Sequence, residues 1–136
     1  MKRTDQRRAA IFALYQHDVT GRALGDLLPA DARPFTGALA HAVDDHREEL
    51  DAVIARFAQG WTLDRIAPLE RNILRAALLE LRDPDLVAGD GPIPPEAAID
   101  EAVETAKTYC GADAPGFVNG ILAAALHKVR DNPPAR

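Results

Sequence analysis

An all-α fold of about six or seven helices is what this 136-residue sequence predicts, and three observations carry it. Its apolar residues make up 47% of the chain with only 5% aromatic, and most are Ala and Leu, which favour helix. They recur at helical spacing, with no alternating β-branched run of the kind a strand would need. Gly and Pro punctuate the chain at short intervals, so helix follows helix through mostly brief connections. One domain of this length can bury a proper core.

The first helix enters from Thr4 or Asp5, either a suitable N-cap. Ala9, Phe12, Tyr15 or Gln16, and Val19 form its stripe, Ile11 and Leu14 widen it, and Gly21 ends it. A loop containing Pro29 follows. Pro34 suits the first turn of a second helix reaching about His46. A third begins near Arg47, carries Leu50, Val53, Ile54 and Phe57 on one face, and closes at Gly60. Residues 44–48 hold no Gly or Pro, so these two helices could be continuous. Thr62 caps a short helical turn that Pro68 interrupts. Beyond it, Leu69, Ile73, Leu74, Ala77, Leu78 and Leu81 give the next helix a face wide enough for a central position. Residues 82–95 are rich in Pro and Gly and read as a loop. Pro94 or Pro95 opens a helix striped by Ile99, Ala102, Val103, Ala106 and Tyr109. Asp113 caps the last helix, with Ala114 and Pro115 in its first turn. The domain is expected over 1–130, with 131–136 a flexible tail.

Asn119-Gly120 tests this scheme, because Asn-Gly between apolar runs is a strong hairpin signal. Phe117, Ile121, Leu122, Ala125, Leu126 and Val129 nevertheless keep helical spacing straight through it. A helical Gly120 costs about 1 kcal/mol relative to Ala. The expected offset is a close crossing over the central helix, with Asn119 a buried or half-buried amide or one that points at a partner.

Charge narrows the function. A net −5 argues against a general nucleic-acid coat, yet Lys2, Arg3, Arg7 and Arg8 face a single acid, Asp5, within residues 1–8. Residues 83–104 carry seven acids and no base. That distribution suits a small basic footprint and a separate acidic face. A lone Cys110 excludes an internal disulfide and fits a reducing cytoplasm. No apolar run approaches a membrane span of roughly 18 residues. The four histidines offer no metal-ligand spacing, and carboxylates adjacent in sequence diverge on a helix, so neither catalysis, cofactor, metal nor small-molecule substrate is expected.

Four segments in series, "RRAAIFALYQHD" at 7–18, "ERNILRAALLEL" at 70–81, "IPPEAAIDEAVETAKTY" at 93–109 and "DAPGFVNGIL" at 113–122, resemble the NusB family over nearly the whole chain. The resemblance implies two packed helical sub-bundles and a non-enzymatic transcription antitermination factor. Such a factor binds single-stranded boxA RNA together with NusE, a small-subunit ribosomal protein. Within an RNA polymerase antitermination complex it resists premature, Rho-dependent termination, especially on ribosomal RNA operons.

By the same resemblance the RNA contacts fall on Lys2, Arg3, Arg7, Arg8, Tyr15, Lys107, Tyr109, Asp113 and Phe117. Tyr15, Asp64 and Glu70 fall on the NusE contact. Physical readings stand beside these. Cations on the first helical turn reach phosphates, and an aromatic at a loop rim stacks on unpaired bases. Tyr15 and Phe117 read as core, Asp113 as a cap, and Glu70 as a charge suited to a helix N-terminus. Asp5, Gly116 and Asp100 depart from the family pattern and remove positive charge from the RNA face. Two alternatives follow: a protein-only adaptor or homodimer without RNA binding, and a NusB-like fragment of an RNA methyltransferase. Met1 and the loose tail read as a complete chain and disfavour the fragment.

Overall fold

The computed structural model describes residues 2–87 and 93–131 and places seven α-helices among them, with no strand. They are α1 Arg3–Thr20, α2 Leu24–Leu27, α3 Pro34–Asp45, α4 Arg47–Phe57, α5 Pro68–Arg82, α6 Pro95–Tyr109 and α7 Ala114–Asp131. Single 3-10 turns occupy Leu63–Arg65 and Pro84–Val87, the second inside the segment expected to be loop. Asp131 ends α7, and the rest of the expected tail lies outside the described residues, as does Asp90 of the acidic segment.

Punctuation residues set the ends. Gly21 adopts φ +73 and its N–H donates to the His17 carbonyl, closing α1 in the left-handed turn that glycine allows. Pro34, Pro68 and Pro95 each open a helix, where a missing N–H costs nothing. Other ends differ from expectation. The α1 N-cap is Lys2, not Thr4 or Asp5, and the Thr4 hydroxyl donates to Glu101 on α6. α3 and α4 are separate: His46 leaves helical geometry at φ −107 and ψ 16, and its N–H still reaches Ala42.

α5 runs through the middle, packed against α1, α3, α4, α6 and α7. α1, α2 and α3 pack with one another and α7 packs with α4 and α6, giving two sub-bundles that share α5. Every residue from Asn72 to Leu81 is buried, so α5 has no outward face. Its polar residues must therefore find partners inside. Asn72 amide and Arg75 both donate to Asp18 on α1, and Arg75 also grips Asp51 on α4 through two bonds of 2.6 and 2.9 Å. Arg47 completes the cluster with a 2.6 Å bond to Asp18. Burial by itself would raise the Asp18 carboxyl, but the Asn72 amide and the Arg75 and Arg47 charges outweigh it and hold it below the ordinary value.

The buried face of α1 is Ala10, Ile11, Ala13 and Leu14: Ile11 and Leu14, expected at the edge of the stripe, are in it, whereas Ala9, Phe12, Tyr15 and Val19 are not. α1 packs on both α3 and α5, which moves its buried centre; Phe12 and Tyr15 stay half-buried and Val19 is exposed. α7 continues unbroken through Asn119-Gly120 as expected, but its buried line is Val118, Ile121, Leu122, Ala125 and Leu126. Asn119 and Gly120 are therefore both exposed, and a Cβ on Gly120 would meet nothing within 4 Å. The tight crossing expected there does not exist.

Candidate nucleic-acid interface

α1 and α6 lie side by side on α5 and run the same way. Thr4 Oγ1 donates to Glu101 Oε1 at 2.8 Å, and the Phe12 ring meets Tyr109 edge to face at 4.9 Å. Phe12 follows Thr4 by as many residues as Tyr109 follows Glu101, so the two helices keep step between those contacts. Arg8 sits between, its guanidinium 5.3 Å from the Tyr109 ring centre. At 3.6 residues per turn, Arg8, Phe12 and Tyr15 share one face of α1. The first half of α1 is thus bound to the second half of α6, and Tyr109 caps the seam while still 46% exposed.

This arrangement divides the expected cationic cluster. Lys2 is exposed. Arg3 lies over the Phe35 ring on α3 at 4.0 Å. Arg7 turns inward: its Nε and Nη2 donate to the two carboxylate oxygens of Glu80 at 2.8 and 3.0 Å, and Glu80 is 5% exposed. Arg8 alone points along the α6 seam, and its buried Nε finds no hydrogen-bond acceptor. Lys107 does not join them. It sits roughly 200° round α6 from Tyr109, on the outward side with Asp100 and Glu104, all three exposed.

Past Tyr109 the surface opens into a groove of about 340 Å³ lined by residues 111–114, Phe117, Trp61, Arg65 and Glu70, with Ile66 and Ala67 along it. Asp113 is exposed on its rim, and the Asp113 carboxylate caps nothing: its backbone carbonyl, at 3.2 Å, accepts the Phe117 N–H. Phe117 is half-buried and meets Trp61 edge-on at 6.1 Å. Glu70, in the first turn of α5, forms part of the opposite wall, and burial raises its carboxyl above the ordinary value. Burial, then the nearby Glu70 charge, raises the Cys110 thiol, which ties this wall to the end of α6. Asp64 is exposed on the 3-10 turn just outside the groove, which Arg71 holds to α5 by donating to the Leu63 carbonyl.

Residues expected at two separate contacts, Glu70 on one side and Asp113 with Phe117 on the other, therefore line one groove. Trp61 and Arg65 escaped the sequence reading. The only signal was the chain's single Trp beside Gly60, an apolar side chain placed in a loop and left 52% exposed. Among the described residues no group of three His, Cys, Asp or Glu could hold a metal, and no helix is long and apolar enough to cross a membrane.

Comparisons with known proteins point one way. The NusB family model matches residues 4–127. A transcription antitermination protein NusB from Rubrobacter xylanophilus is 38% identical over 135 residues, covering 95% of this chain and 93% of its own. A crystal structure of T. maritima NusB superposes with a TM-score of 0.82 at 29% identity, over 94% of this chain and 92% of that one. NusB in a crystal structure with NusE and double-stranded RNA gives a TM-score of 0.75 at 27% identity, over 94% and 99%.

Proposed function

The chain belongs to the NusB family, and from that premise we propose that it is a transcription antitermination factor, a binding protein with no catalytic step. It takes unpaired boxA RNA of a nascent transcript together with NusE, and through them joins RNA polymerase in resisting Rho-dependent termination in the cytoplasm. The observation that carries this reading is the seam at which Arg8 and Phe12 meet Tyr109. It makes one surface of a cation with donors to spare, an exposed aromatic ring and, next along the chain, a groove.

On that surface each group has a task. Lys2 and Arg8 bind phosphates, with Arg3 flanking them from its seat on Phe35. Tyr109 offers its exposed ring to a base, and Phe117 supports the groove into which the strand continues. Asp113 accepts from a base edge. Arg7 acts at one remove: its bond to Glu80 fixes the first turns of α1 on α5 and so positions Arg8. Tyr15 extends the Arg8–Phe12 face towards the partner. Asp64 and Glu70 present acid to a basic ribosomal protein, whose cations would offset the burial that raises the Glu70 carboxyl. Lys107, on the outward side, adds long-range attraction only.

The test is a gel shift of the chain with its own NusE and a boxA-containing RNA. A ternary complex is expected at low salt, with the logarithm of the affinity falling linearly against log salt by roughly 0.7 per phosphate contact. A NusE complex that shifts no RNA at any salt overturns the RNA reading and leaves the protein-only adaptor.

A further inference from the structure

On another part of the surface, α4, α5 and α7 leave a groove between them. Leu78, Leu81 and Ala125 close its base, and Val53, Phe57 and Val129 stand half-buried on its walls. Three cations rim it: Arg56, Arg82 and Lys128, one from each helix. No carboxylate lines it, and none of the three makes an ion pair among the described residues. For a chain of net charge −5 that is an unusual concentration of one sign.

Helix chemistry accounts for part of it. Each cation lies in the last turn of its helix, where it complements a partial charge of about −0.5. Three such ends offset only about half of three full charges, so the groove stays positive. Convergence of all three on one apolar floor is left unexplained by capping. We propose that this groove docks an acidic protein segment carrying one or two apolar anchors, Leu or Phe, flanked by carboxylates.

Charge complementarity fixes the sign of the occupant, and the floor fixes its class. At about 200 Å³ the groove lies below the roughly 300–1,000 Å³ of small-molecule pockets, so it suits a side chain or two rather than a whole ligand. Nucleic-acid bases stack on flat rings and open guanidinium planes. Here the walls are branched aliphatics, and the one aromatic ring, Phe57, already has the Arg56 guanidinium 5.5 Å over it. A carboxylate-flanked Leu or Phe meets both features, as an amphipathic helix does in a groove.

Fluorescence anisotropy tests this with a labelled peptide in which Leu and Phe are set among Glu residues, titrated with the full chain. Two competitors accompany it: the same peptide with Lys for Glu, and oligouridylate of equal charge. The Glu peptide should bind and the Lys peptide should not. Arg82→Glu with Lys128→Glu should weaken binding at least tenfold, whereas Arg33→Glu, exposed and outside the groove, should not. Should the double variant fail to fold by circular dichroism, Arg56→Glu, at an exposed position, replaces it with a severalfold loss expected. No binding of the Glu peptide, binding that survives reversal, or displacement by oligouridylate overturns the proposal.

Discussion

Arg75 and Arg8 carry the same guanidinium, and the fold puts them to opposite uses. Arg75 is 3% exposed and makes four hydrogen bonds, to Asp51 twice, to Asp18 and to Asn72. Arg8 lies half-buried on a rim with its plane near a Tyr ring and its Nε unanswered. A cation paired on every side belongs to the architecture, since nothing remains to offer a ligand. One packed against an aromatic, with its terminal nitrogens in no hydrogen bond among the described residues, keeps donors for a phosphate. Inner charge here joins α1, α4 and α5; outer charge waits.

The sharpest way to break that contrast is Arg75→Ala. It takes from Asp51 both of its Arg75 bonds and leaves Asp18 with only Asn72 and Arg47, and removing one member of a buried ion cluster costs about 3–5 kcal/mol. Urea unfolding should show a loss of that size; a loss under 1 kcal/mol would make the cluster decorative. The same cluster dictates an acid limb. The folded Asp18 carboxyl titrates below its ordinary 3.8, so its stabilisation is complete above that pH and disappears as pH falls through the lower folded value. A carbon-13 NMR titration of Asp18 with a midpoint above 3.8 would show burial winning instead.

Next in size comes a pair one residue apart. Arg7→Ala leaves the Glu80 carboxylate buried without its partner, which costs about 3 kcal/mol of stability. Arg8→Ala should change the unfolding midpoint little and weaken RNA binding of the NusE complex roughly tenfold, the scale of one charge-assisted hydrogen bond. Thermal unfolding and the gel shift, run on both variants, separate them. If Arg8→Ala destabilises as much as Arg7→Ala, the two regions are not different in kind.

Neighbours in sequence that diverge in role mark where periodicity stops informing. Central α5 was legible because its apolar face is wide, and α6 and α7 because their stripes are narrow and regular. The short α2 was not, since four residues carry no period. The inner face of α1 was legible only in part, through Ile11 and Leu14. Both α3 and α5 press on it, and the side with Phe12 and Tyr15 that reads as core is instead the half-buried face of the seam. Arg8 and Tyr109 were each visible as candidates, but their meeting depends on two helices lying in parallel over a third. Arg7 reads like Arg8 until Glu80, 73 residues away, takes it inward. Arg75 and Glu80 did leave a trace: charges set inside a helix apolar on nearly every side require buried partners.

The smallest effect expected is Gly120→Ala, and its sign is informative. A glycine inside an exposed helical turn costs about 1 kcal/mol relative to Ala, and here no neighbour comes within 4 Å of where the methyl would stand. Substitution should therefore stabilise the free chain by up to that amount, a rise of a few degrees in unfolding temperature. Internal packing then gives no reason for glycine at this position, and any remaining reason is external. A partner backbone approaching α7 at Asn119-Gly120 would lose its contact, so the stabilised variant would bind NusE or RNA more weakly. If stability rises and both affinities hold, the outer face of α7 lies outside the interface, and the working surface is confined to the α1–α6 seam and the groove beside Trp61.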